Sequence, residues 1–280
     1  MNTDEPISES YKLAAQAIRE ADGLLIAAGA GMGVDSGLPD FRGSEGFWNA
    51  YPALGKAKIE FRSIASPGAF MRMPSRAWGF YGHRLNLYRD TVPHDGFRIL
   101  REMADKLPHG GFVCTSNVDG QFQKAGFSEN DVCEIHGSIH HMQCMTNCYI
   151  TWSADDFRPE VDLEQCSIVS PMPRCPRCNG LARPNIMMFN DEHFVMDRVE
   201  RHSIQLDIWM SRVKNVVVIE IGAGTAIPSI RRFAETSTSG FLVRINPTDP
   251  KISKAYNRQG VSLPVGALEG LRGIAAAMMG

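Results

Sequence analysis

The sequence predicts an α/β fold, a Rossmann-like parallel sheet with a smaller lobe inserted into it, and three observations carry that prediction. Short, continuously apolar runs recur at "LLIAA" (24–28), "GFVCTSN" (111–117), "NVVVIEIG" (215–222) and "GFLVRIN" (240–246), each ending in glycine or small polar residues. Runs of this kind mark strands covered on both faces. Between the last two lies "TAIPSIRRFAETS", long enough for a crossover helix, so this part reads as a βαβ unit with parallel strands. Two stretches break the rhythm: residues 44–108 are helical and aromatic-rich without a convincing strand, and residues 141–183 hold paired cysteines and several prolines.

Taken in order, the first element is a helix, because Tyr11, Ala14, Ala15 and Ile18 recur at helical spacing and Asp22-Gly23 closes it. "LLIAA" follows as the first strand and runs into "GAGMGVDSGLPDFRG" (29–43). Residues 44–108 and 141–183 are read as insertions. This leaves 1–43, 109–140 and 184–280 as the sheet domain, 44–108 as a helical module and 141–183 as a separate cysteine-bearing module.

Composition limits the function classes. The chain has 280 residues, 44% hydrophobic and 21% charged, with a formal net charge of −2, so nothing draws it as a whole toward nucleic acid. No local basic patch is evident. The start, "MNTDEPISES", lacks the apolar core of a signal peptide, and no later stretch approaches the ~20 apolar residues of a membrane span. The expectation is a cytoplasmic protein without membrane or nucleic-acid partners. Its seven cysteines fit a reducing compartment, since an odd number leaves one unpaired.

The loop at 29–43 sits where open parallel sheets bind ligands, beyond the carboxyl end of a strand. Gly29, Gly31 and Gly33 give G-x-G-x-G, not the dinucleotide fingerprint G-x-G-x-x-G, so on glycines alone the loop is either a phosphate cradle or a tight turn. Pro39 then stiffens the chain before Asp40, Phe41 and Arg42, three different chemistries in one loop.

Cys144-x₃-Cys148 and Cys175-x₂-Cys178, with 26 residues between them, are two knuckles of the kind that hold tetrahedral zinc. Arg174 and Arg177 beside the second knuckle favour thiolates. Four protein ligands would leave no open position, so such a zinc is structural; two disulfides are the alternative. Tyr81 and Arg84 in "PSRAWGFYGHR" share one helical face, where a guanidinium beside a phenol can grip a carboxylate, or simply decorate an amphipathic helix.

Several of these segments together carry a family resemblance. "GAGMGVDSGLPDFRG" resembles the sirtuin signature, and "TSNVDG" (115–120), "IHG" (135–137), the two cysteine pairs, "RPNIMMF" (183–189) and "RIN" (244–246) resemble later sirtuin motifs in the same order. The resemblance implies an NAD-dependent protein lysine deacylase, a deacetylase or desuccinylase, with one structural zinc. NAD is then expected to contact Gly29, Ala30, Gly31, Asp40, Phe41, Arg42, Ser116, Asn117, Asp119, Gly222, Gly224, Thr225 and Asn246. His136, with Asn117 beside it, would be catalytic: the acyl-lysine carbonyl displaces nicotinamide, His136 deprotonates a ribose hydroxyl, and lysine, nicotinamide and O-acyl-ADP-ribose leave. Without the resemblance, His136 reads as a structural histidine, the commoner fate of a single histidine in an apolar neighbourhood, and His140 or His141 as metal-binding.

The substrate would meet Ala65, Tyr81, Arg84, Met187 and Phe189, and Tyr81-x-x-Arg84 resembles the sirtuins that prefer acidic acyl groups such as succinyl. Gly33, Ser116, Asn190, Asp191 and "GAGTAIP" depart from the family pattern. Those near Phe189 bear on the strand edge to which a peptide adds. Two further readings stand beside deacylation: a sirtuin-fold ADP-ribosyltransferase or NAD glycohydrolase, and a non-catalytic NAD-binding interaction module. His136 and Asn117 argue against the module, and product analysis separates the other two.

Overall fold

The computed structural model describes residues 4–39, 43–146, 148–253 and 259–280, so Asp40, Phe41 and Arg42 lie outside the described residues. The strands are β1 (Gly23–Ala28), β2 (Gly111–Thr115), β3 (Val132–Glu134), β4 (Gly137–Cys144), β5 (Thr151–Ser153), β6 (Val161–Asp162), β7 (Ser167–Ile168), β8 (Ala182–Ile186), β9 (Val216–Ile221), β10 (Phe241–Ile245) and β11 (Gly260–Leu263). The helices are α1 (Asp4–Glu20), α2 (Gly43–Ala50), α3 (Pro52–Lys56), α4 (Phe61–Ile64), α5 (Pro67–Arg72), α6 (Pro74–Asp90), α7 (Asp95–Ala104), α8 (Gln121–Lys124), α9 (Asp197–Arg212), α10 (Ser229–Thr236) and α11 (Ala267–Met279). No described helix is long and apolar enough to cross a membrane.

Six strands form one sheet in the order β11-β10-β9-β1-β2-β3, with every neighbouring pair parallel. All four apolar runs became its strands, and "TAIPSIRRFAETS" contains the crossover helix α10. β1 and β9 are buried along their whole length, which is why neither shows polar alternation. One face of the sheet packs Leu24, Ile26, Val113, Val217 and Val243 against α1, α7 and α11; the other packs Leu25, Phe112, Val218 and Leu242 against α9 and α10. The sheet interior also contains a charge pair: Arg244 of β10 stands in register with Glu220 of β9, both 0% exposed, and donates to it from Nε at 2.9 Å and Nη2 at 2.5 Å. Glu235 of α10 accepts a further bond from Arg244. Every charge in the trio thus has a partner, as burial requires.

Residues 43–104 contain helices and no described strand. Their core joins Phe47, Leu54, Phe70, Trp78 and Phe80 to Ile139 and Met142 of β4 and to Ala182 and Ile186 of β8. β4 and β8 pair antiparallel in a three-stranded sheet with β5. Both run across the residue-140 and residue-183 divisions expected from the cysteine spacing, because the sheet that closes the knuckles begins beside His136. The β6–β7 hairpin lies between the cysteine pairs and packs on α6. Contact is close because α6 carries glycine there: a Cβ on Gly79 would sit 2.3 Å from the Cys166 carbonyl oxygen, and one on Gly82 would sit 2.9 Å from Pro159.

Candidate active site

The chain leaves β1 toward β2 and β3 and later returns on the other side through β9, β10 and β11, so the winding reverses between β1 and β9, the place where open sheets form a crevice beyond the strands' carboxyl ends. The loops beyond the two strands interlock through backbone. The Gly29 N–H donates to Ile221 O at 2.9 Å and that of Gly31 to Gly222 O at 3.1 Å. A Cβ on Gly31 would approach Gly222 Cα to 2.7 Å, and one on Gly222, whose φ is 60°, would approach Gly31 Cα to 2.4 Å. Gly29 and Gly31 are therefore fixed first by the need for backbone to meet backbone. Ala30–Ser36 then coil as a 3₁₀ turn that ends at Gly37 in the left-handed region, φ 82°.

A cavity of about 560 Å³ occupies this crevice and continues under α6. Gly29, Ala30, Gly31, Ser116, Asn117, Asp119, His136, Gly222 and Gly224 line one part of it; Ala65, Tyr81, Arg84, Met187 and Phe189 line the other. Residues separated by nearly 200 positions in sequence thus share a single space. Two expected residues do not line it. Thr225 is exposed beside the crevice. Asn246, at 0% exposure, lies beneath the crevice floor, donating from Nδ2 to Ala223 O at 3.0 Å while its Oδ1 accepts from the Thr248 and Asp249 amides. Its place is to hold the second glycine loop, which follows from its being the first residue past a buried strand.

Asn117 is held by its neighbours. Its backbone N–H donates to the Thr115 hydroxyl at 3.0 Å and its Nδ2 to Gly29 O at 3.0 Å, tying the β2 loop to the β1 loop. Asp119 is 9% exposed and accepts from the Gln121 amide at 3.0 Å. Burial pushes its carboxyl up to about 6, against the pull of that hydrogen bond and of Arg84.

His136 is half-buried. Burial lowers its pKa below the ordinary imidazole value, partly offset by the Ser116 backbone, which favours the protonated ring. The ring is therefore a neutral base at neutral pH. Its neighbours are placed differently: His140 bonds Asp119 O at 2.9 Å, and His141, held down to about 4 by burial and by Arg198, lies on the α9 side. Neither belongs to the cysteine cluster.

The segment after β8 is tethered at two points. Met187 N donates to His136 O at 2.9 Å and Phe189 N to Ala65 O at 3.0 Å. Asn190 adopts φ 55°, a left-handed conformation that asparagine tolerates better than most residues. The Asp191 side chain is buried completely, meeting Arg183 at 2.8 Å and accepting from the amides of Met188 and His193, both at 3.2 Å. The two departures after Phe189 thus form one local device, a turn residue followed by a buried anchor.

α6 turns Tyr81, Arg84 and Tyr88 toward the cavity. Tyr88 was not anticipated, although it stands four residues past Arg84 and seven past Tyr81, the spacing of one helical face. Arg84 is 8% exposed and its guanidinium lies 5.3 Å from the Phe80 and Tyr88 ring centres. At the mouth, Arg62 lies 4.7 Å over the Phe189 ring.

The four sulfurs of Cys144, Cys148, Cys175 and Cys178 lie within 4.8 Å of one another. Sulfurs about 2.3 Å from a tetrahedral zinc stand about 3.8 Å apart, and the Cys144–Cys178 pair is at 3.5 Å. Backbone N–H groups support two of them, Thr146 to Cys144 at 3.3 Å and Gly180 to Cys178 at 3.4 Å. One knot of four thiols with amide donors fits a structural zinc better than two disulfides.

Comparison with known proteins agrees with this arrangement. The family model for the Sir2 family matches residues 29–220. The chain is 29% identical over 231 residues to an NAD-dependent protein deacylase of Aquifex aeolicus, covering 81% of this chain and 84% of that one. It is 32% identical over 192 residues to the mitochondrial NAD-dependent protein deacylase sirtuin-5 of Xenopus tropicalis, covering 63% and 59%. Among solved structures, a Sir2 enzyme superposes with TM-score 0.68 at 21% identity over 97% of this chain and 98% of its own. A Sir2 homolog–NAD complex gives 0.65 at 23% over 99% and 96%. Motif order, sheet topology and the cysteine knot converge with the family match: the chain belongs to the Sir2 family.

Proposed function

We propose that this protein is an NAD-dependent lysine deacylase whose acyl pocket favours acidic groups. The observation that carries the reading is one cavity bringing His136 and Asn117 to the crevice loops at one end and Tyr81 and Arg84 at the other. Relatives named NAD-dependent protein deacylase support it. In this reading 1–43, 109–140 and 184–280 bind NAD, 44–108 holds the acyl group, and 141–183 is braced by zinc. A cytoplasmic setting is part of this reading, since a reducing compartment keeps the seven thiols unoxidised.

NAD, when bound, supplies a glycosidic bond whose cationic nicotinamide is a ready leaving group. The chain's own residues position and deprotonate. Gly31 and Gly222 set the crevice width, Asn117 and Asp119 would hold the ribose, and the His136 ring would take the proton of a ribose hydroxyl. Met187 and Phe189 offer the edge along which an acyl-lysine peptide lies, while Arg84 attracts its acyl carboxylate.

Incubation with NAD and matched acetyl- and succinyl-lysine peptides, followed by mass spectrometry, tests the reading. Peptide-dependent O-acyl-ADP-ribose is expected. His136→Ala should lower turnover by roughly 10²–10⁴-fold, the usual contribution of a positioned base, with NAD binding kept. Nicotinamide release that ignores the peptide would favour ADP-ribose transfer or NAD hydrolysis instead.

A further inference from the structure

The helix beneath the acyl pocket carries a polar residue outside the Tyr81-x-x-Arg84 pair. Tyr88 lines the cavity one helical turn past Arg84 and is 4% exposed. Its hydroxyl oxygen accepts from Arg84 Nε at 2.9 Å and from Arg84 Nη2 at 2.5 Å. A phenol oxygen has two lone pairs and one proton. Both lone pairs are used, so the proton is all that Tyr88 can offer a ligand, and no described residue accepts it. Burial raises the phenol's pKa, against the pull of Arg84, so the proton stays on at neutral pH.

We infer that Tyr88 is a specificity-determining residue, donating its O–H to the terminal carboxylate of a dicarboxylic acyl group on the substrate lysine. The inference rests on the deacylase reading above and deepens it. A hydroxyl that accepts two bonds from a cation is polarised toward donation, and a carboxylate is the acceptor that rewards such a donor most. A neutral acyl end offers that O–H no acceptor, so the bond favours succinyl and adds nothing to the binding of acetyl or butyryl groups. The ring also holds Arg84 in place, so a single residue orients the cation and supplies a second donor.

The test uses the full-length protein with NAD and three peptides bearing acetyl-, butyryl- or succinyl-lysine; butyryl matches the succinyl chain length without its acid. The wild type is expected to favour succinyl over butyryl. Tyr88→Phe should raise the succinyl KM by about tenfold to hundredfold, the cost of a bond to a charged group. Its kcat, and its acetyl and butyryl kcat/KM, should stay within about twofold, because the lost contact is remote from the reacting carbon. Tyr88→Gln keeps an acceptor for Arg84 and an amide donor, and should recover part of the succinyl KM. If Tyr88→Phe fails to fold, Tyr88→Gln carries the test alone, through a changed succinyl KM beside an unchanged acetyl KM.

An unchanged succinyl KM, or an equal loss with all three peptides, overturns the inference and leaves the deacylase reading intact. A wild type indifferent between butyryl and succinyl also overturns it, while deacylation stands. No acyl-ADP-ribose from any peptide overturns both.

Discussion

Replacing Gly222 with alanine should cost far more than the same change two residues later. The Gly222 φ of 60° puts a side chain in the left-handed region, at about 1–2 kcal/mol. The new Cβ would also lie 2.4 Å from Gly31 Cα, 2.5 Å from Gly31 C and 2.6 Å from Met32 N, three backbone atoms that cannot rotate away. Relief requires the β1 and β9 loops to separate by about 1 Å, and such overpacking adds about 1–3 kcal/mol. A total near 3–4 kcal/mol corresponds to a Tm lower by roughly 6–16 °C for a chain of this size. Gly224 has no atom within 4 Å of its would-be Cβ, and Gly224→Ala should stay within about 0.5 kcal/mol of wild type. Calorimetric melts of both variants without NAD measure the difference, and NAD titration of Gly222→Ala should show lost affinity because the crevice has changed width. A Gly222→Ala protein that melts within about 2 °C of wild type would refute the interlock argument.

Two other expectations concern charge. Asp191→Ala leaves the buried Arg183 guanidinium without its carboxylate, and breaking such a pair costs about 3–5 kcal/mol; urea unfolding that shows less than about 1 kcal/mol would contradict the anchor role. His141 is held down to about 4, so the folded protein must bury a charge as acid protonates it. Its stabilising contribution is therefore complete above about pH 6.5 and is lost as pH falls toward 4, by roughly 3 kcal/mol at 1.36 per unit. Denaturant curves at pH 7 and 4.5 should converge for His141→Asn relative to wild type, and parallel losses in the two proteins would remove the assignment.

What the sequence made legible follows the range of the forces involved. The four long apolar strands were readable because both of their faces are buried by the sheet's own layers. β3 was not, since its three residues end on Glu134, a buried acid paired with Arg198, 64 positions away. Tyr81 and Arg84 were readable from helical spacing, while the importance of Tyr88 depended on which way the Arg84 fork turns, a choice set by packing. The glycine loop suggested phosphate contact; the structure adds the nearer reason, Gly222 arriving from the far side of the sheet. Asp191 looked like a simple departure, and only the buried Arg183 shows why an acid belongs there. His136 could be separated from His140 and His141 only when the cavity placed it alone among the three at the crevice.

The hairpin against α6 carries a consequence for kin of this chain. Because the Cys166 carbonyl would meet a methyl at position 79 at 2.3 Å, the ribbon linking the cysteine pairs and the bare spot on the helix form a lock and its notch. A homologue with any side chain at that notch must route its ribbon farther out or shorten it. The two places should therefore vary in concert among homologues, though Gly79 and Cys166 lie 87 positions apart along the chain.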